Sequence, residues 1–97
     1  MVKHIIIWTL KDEYNTLEIK DGIKKGLENL LSVIPGLVEI KVEINPLVSS
    51  NADVMLYSVF ENEEALNGYA VHPEHVKVAD TFVRPYTKTR ACFDYAE

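Results

Sequence analysis

Two imidazoles and a phenol fall within the short run Tyr69-Ala70-Val71-His72-Pro73-Glu74-His75, and side chains of these types can move protons at neutral pH. An imidazole, with an ordinary pKa of about 6.5, serves as a base, and a phenol can donate to the oxygen of a developing enolate. An aldol-type ring closure requires that pairing. Tyr69 and His75 are six residues apart, so on a straight helix they would point in different directions. Pro73 changes the geometry. It has a fixed φ and no amide hydrogen, which suits the first position of a helix, so one helix is expected to stop here and another to start, and the kink lets the two rings converge. The competing use of these residues is structural, because a histidine beside a helix break often only satisfies a neighbouring backbone group.

Other chemistry is thinly represented. His72 and His75 have a spacing that could bring two imidazoles to one metal, but a proline separates them and no third ligand lies nearby in sequence, so neither a metal nor a cofactor is expected. The chain has no Gly-rich phosphate loop, nucleophile elbow or zinc-helix motif. His4, in an apolar stretch, reads as a satisfied buried histidine, and Trp8 as cavity wall or core. Cys92 is the single cysteine, which precludes an intramolecular disulfide or a cysteine-based zinc set, fits a reducing compartment, and leaves a small apolar strand residue.

The elements that must position these groups follow from periodicity. Val2 to Leu10 is apolar on both alternating faces, as a doubly covered strand would be. Asn15 and Glu18 have the spacing of a helix cap, and Ile19, Ile23, Leu27, Leu30, Leu31 and Ile34 recur at helical intervals until Pro35-Gly36 ends the helix. Gly22 and Gly26 weaken that helix by about 1 kcal/mol each, so either close packing or room for a ligand must compensate. Leu37 to Ile44 alternates, with Val38, Ile40, Val42 and Ile44 on one face, as a half-exposed strand. Asp53 to Phe60 is apolar on both faces, Asn62 can cap a second helix, Val76, Ala79, Phe82 and Val83 continue helical spacing beyond Pro73, and Tyr86 to Tyr95 reads as a last strand.

The order β, α, β, β, α, β with no linker or repeat predicts one α+β domain over residues 1–97, a ferredoxin-like βαββαβ sheet with its first and third strands central. Helices cover one side of such a sheet, so Ile5, Ile7 and their neighbours need a second sheet upon them, which predicts a homodimer. With 47% hydrophobic and 26% charged residues, the chain has the composition of a globular domain, and its formal net charge of −5 argues against nucleic acid. No apolar run is long enough for a membrane span and no signal-peptide pattern opens the chain, so the expected setting is cytoplasmic with no membrane partner.

Val2-Lys3-His4-Ile5, Ile34-Pro35-Gly36-Leu37, Asp53-Val54, the Tyr69 to His75 stretch and Phe93-Asp94-Tyr95 are spread nearly end to end. In these residues the chain resembles the stress-responsive dimeric α/β-barrel (Dabb) family. The resemblance implies a homodimer of ferredoxin-like subunits forming a dimeric α+β barrel. For function it implies a range: plant stress-associated proteins with no assigned reaction, a ring-forming oligomer, and a polyketide cyclase that needs no metal or cofactor. The cyclase's Tyr-x-x-His-Pro-x-His run is similar to Tyr69, His72, Pro73 and His75, a match that makes His75 the base and Tyr69 its partner. The same likeness places His4, Ile6, Trp8, Ile40, Val54, Leu56 and His72 around an apolar cavity, with Asp94 behind His75 as its orienting carboxylate. This sequence departs from the cyclase pattern in offering Lys24 and Leu27 for helix aromatics, and Val54 for a further histidine. The expected function is a homodimeric domain with a pocket for a small apolar or phenolic molecule. The alternatives are a cofactor-independent polyketide cyclase or monooxygenase-like enzyme, and a non-enzymatic stress or assembly protein.

Overall fold

The computed structural model describes residues 1–97. Its elements are strand β1 (Val2–Leu10), helix α1 (Leu17–Glu28), strands β2 (Leu37–Glu43) and β3 (Val54–Phe60), helices α2 (Glu63–Val71) and α3 (Pro73–Val78), and strand β4 (Thr87–Ala96). The strands form one antiparallel sheet in the order β2-β3-β1-β4, so the two strands that are apolar on both faces are the central ones. This is the ferredoxin-like α+β arrangement. Val2, Ile6, Trp8 and Leu10 of β1 and Val54, Leu56 and Phe60 of β3 bury one sheet face against Ile23, Leu27 and Leu30 of α1 and Tyr69 of α2.

Several local details differ from the periodicity. Helix α1 is capped by Thr16, whose hydroxyl accepts from the Ile19 amide, whereas Asn15 turns away and donates to Asp53. Asp53 is thus a brace and not a strand residue: its other carboxylate oxygen accepts from the Leu10 amide at 2.8 Å. After Glu28 the chain tightens into a 3₁₀ turn over Asn29–Ser32, which rotates Leu31 outward to 46% exposure while Leu30 stays buried. In β2 the register shifts between Leu37 and Glu39, so Leu37 points into the core and Val38 into solvent. Gly36, at φ +80°, makes the turn before it, a conformation that glycine alone adopts at little cost.

Gly22 and Gly26 are explained by packing. A Cβ on Gly26 would lie 3.1 Å from both Phe82 and Val78, and one on Gly22 would lie 3.5 Å from Phe82. The two glycines let the segment after Pro73 settle onto α1. That segment does not continue as a regular helix: Ala79–Val83 forms a π turn closed by the Arg84 amide donating to the Ala79 carbonyl at 2.8 Å. At the opposite side of the layer, Lys24 donates to the Val42 carbonyl and to Glu28, while Glu28 accepts from the Val42 amide. These bonds occupy backbone groups along the edge strand β2.

The second sheet face carries the rows Lys41-Tyr57-Ile5-Phe93 and Glu43-Met55-Ile7-Ala91. Ile7 of the central strand β1 is 41% exposed there and Phe93 of the edge strand β4 is 67% exposed, so this face presents apolar surface to solvent.

Candidate active-site cleft

Pro73 divides the helical stretch where expected. Helix α2 ends at Val71, His72 stands in extended conformation with φ −64° and ψ 131°, and α3 begins on Pro73. The break folds His75 back over Tyr69. Their ring centroids are 3.9 Å apart with planes inclined by 31°, a stacked arrangement. His72 does a different job: its Nδ1 accepts from the Glu74 amide and caps α3, outside the cleft.

The helices leave the inner face of β4 largely uncovered, because this edge strand packs chiefly on β1. Between β4 and the α2–α3 corner lies a cleft of about 300 Å³, at the lower end of the range for small-molecule sites. His4, Ile6, Trp8 and Leu56 form part of its floor, and Tyr69 and His75 part of its wall. Ile40 and Val54 do not reach it and are core residues. Arg84, Arg90 and Cys92 do reach it, although periodicity gave no sign of this. A signal did exist in the register, since Arg90, Cys92 and Asp94 pair with Trp8, Ile6 and His4 and so share their inward face.

Asp94 is not a partner of His75. Strand pairing sets it opposite His4, whose Nδ1–H donates to the Asp94 carboxylate at 2.5 Å. His4 is 6% exposed, and this bond fixes its tautomer and ring orientation. Its ring meets Tyr69 edge-on at 6.0 Å. The Cys92 thiol lies 3.5 Å from the same carboxylate, and burial, then the Asp94 charge, raises its pKa. The ligating atoms of His4, Cys92 and Asp94 all fall within 4.8 Å of one another. They are the one set in the cleft that could hold a metal ion, although the Arg90 guanidinium beside Cys92 would repel a cation.

The environment divides the protons between Tyr69 and His75. Burial lifts the Tyr69 pKa well above the ordinary phenol value, Arg90 offsetting only part of this, so the phenol stays protonated through neutral pH. Burial lowers the pKa of His75 below 6.5, the bond to the Ala70 carbonyl opposing and the Arg84 charge assisting, so its neutral form prevails at neutral pH. His75 Nδ1 faces the Ala70 carbonyl at 3.4 Å, a long contact. With Nδ1 as donor there, Nε2 is the basic nitrogen. A protonated phenol and a neutral imidazole therefore line one cleft. A larger, shallower hollow of about 470 Å³ lies at the β2–β3 loop beside Ile7, and it contains no histidine, cysteine or tyrosine.

Residues 2–97 match the family described as Stress responsive A/B Barrel Domain (Dabb). The chain belongs to the Dabb family. Among Dabb relatives, olivetolic acid cyclase of Cannabis sativa is 28% identical over 97 residues, covering 97% of this chain and 94% of that one. Stress-response A/B barrel domain-containing protein HS1 of Arabidopsis thaliana is 31% identical over 86 residues, covering 84% of this chain and 77% of its own. A solved structure from Bacteroides fragilis, a dimeric protein of unknown function and ferredoxin-like fold, superposes with a TM-score of 0.87 at 33% identity, covering 97% of this chain and 93% of that one. The Dabb fold thus carries relatives with different functions, and the cleft must decide between them. No helix of the chain is long and apolar enough to cross a membrane.

Proposed function

We propose that this Dabb chain acts as a homodimer and uses its cleft to bind a small, largely apolar carbonyl compound on which Tyr69 and His75 perform cofactor-free proton transfer. The observation that carries this reading is the stacked Tyr69–His75 pair lining a hollow next to Ile6, Trp8 and Leu56. In the proposed step, His75 Nε2 removes a proton from the carbon next to the carbonyl, and the Tyr69 hydroxyl donates a hydrogen bond to the oxygen as negative charge develops on it. The His4 ring, bonded to Asp94, packs edge-on against Tyr69. The similarity to olivetolic acid cyclase supports the reading without fixing the substrate. Homodimerisation is supported by the exposed Ile7 and Phe93 of the open sheet face and by the dimeric Bacteroides relative.

Deuterium incorporation next to the carbonyl of 4-phenylbutan-2-one in D2O, followed by NMR, tests the reaction class. Wild-type protein should accelerate exchange above buffer, and His75→Ala should reduce that acceleration by about 100-fold or more. Equal exchange with both proteins, or none above buffer with either, removes the acid–base pair from the account.

A further inference from the structure

The cleft contains one arginine, Arg90, that neither the proton-transfer step nor an ion pair uses. Arg90 lies opposite Trp8 in the β1–β4 pairing and therefore faces the helices. The other charges that line the cleft are already matched: Asp94 bonds His4, and Arg84 pairs with Asp80. Arg90 forms no ion pair. Its side chain nevertheless lines the cleft, on the same sheet face as Trp8. A guanidinium that lines the same cleft as Ile6, Trp8 and Leu56 and has no carboxylate partner is free to take one, since its planar fork of donors matches two carboxylate oxygens.

We infer that Arg90 selects the ligand: the cleft takes a small carboxylate with an apolar body, the acid group on the guanidinium and the body across Ile6, Trp8 and Leu56 toward Tyr69 and His75. Arg90 stands opposite Trp8 and Asp94 opposite His4 on the same sheet face, so the two charges enter the cleft at different rows, with the Cys92 row between them. This inference rests on the reading of the cleft as a ligand site and adds the charge class of the ligand.

Isothermal titration of the full chain with cinnamate and with the isosteric neutral cinnamamide provides the test. Wild-type protein should bind the carboxylate at least about 10-fold more tightly, the range expected of a charge-assisted bond. Arg90→Met should erase the difference by weakening cinnamate while leaving cinnamamide within about twofold, and Arg90→Lys should retain part of it. Arg90 is exposed on an edge strand, and an unchanged Tm for both variants confirms that they fold. Equal binding of the two compounds by wild type, or a preference that survives in Arg90→Met, overturns the selectivity while leaving the cleft as a ligand site. Failure of both compounds to bind overturns the selectivity and the ligand site together.

Discussion

Replacing Phe93 with alanine should dissociate the proposed dimer while leaving the subunit folded. Phe93 is 67% exposed on the open sheet face, beside Ile5 in the neighbouring strand. With about 200 Å² for the whole side chain, about 130 Å² lies open, worth about 3 kcal/mol if a partner covers it completely. Two-fold symmetry counts the residue twice, giving about 6 kcal/mol per dimer as an upper bound. The alanine that remains still buries some area, so a loss of about 4 kcal/mol, or about 1,000-fold in Kd, is the working figure. Sedimentation equilibrium over a concentration series measures this directly, and thermal melting of the dilute variant reports whether the monomer is intact. An unchanged dissociation constant in Phe93→Ala, or a wild-type chain that stays monomeric at micromolar concentration, refutes the reasoning.

Three further outcomes follow from the site and its supports. The proton-transfer rate should decline only below pH 6.5, where His75 at last protonates, with no alkaline loss up to about pH 10, because burial lowers one pKa and raises the other; a pH–rate profile with its acid limb above 6.5 contradicts this. Gly26→Ala should destabilise the wild type, where Phe82 and Val78 stand 3.1 Å from the new methyl, but stabilise the Val78→Ala/Phe82→Ala variant by about 1 kcal/mol through helix propensity, a change of sign that a urea-denaturation cycle detects. Glu28→Gln should cost about 1 kcal/mol at pH 7. Burial alone would raise the Glu28 pKa, yet the bonds from Lys24 and the Val42 amide hold it below 4.5 in the folded state, so its contribution is present above that pH and lost as pH falls through the lower folded value. The difference in stability between wild type and Glu28→Gln should therefore shrink in acid, as chemical denaturation at pH 7 and pH 3 can show.

The strand order and the helix break were legible in the sequence because each has a local cause. Apolar residues on both faces of β1 and β3 mark central strands, and Pro73 can only begin a helix. That break made the convergence of Tyr69 and His75 possible, and the structure brings the two rings to 3.9 Å. What escaped depends on contacts made across the chain. Asp94 meets His4 and not His75 because antiparallel pairing joins residues 90 positions apart, and the inward direction of Arg90 and Cys92 follows from the same pairing. Val38 left the core through a register shift that alternation cannot reveal. Thr16 and Asn15 are equally able to cap a helix, and the demand of Asp53 for a donor is what separates them. The two glycines of α1 were conspicuous, but only the position of Phe82 explains them.

The state of one side chain tests the account most directly. Nitrogen-15 NMR of histidine-labelled protein at pH 7 should show His75 neutral, protonated on Nδ1 toward the Ala70 carbonyl, with an Nε2 resonance that moves on addition of 4-phenylbutan-2-one. A His75 ring that is doubly protonated at pH 7, or whose resonances ignore the ketone while the protein is folded, contradicts the proposal that it is the base in the cleft.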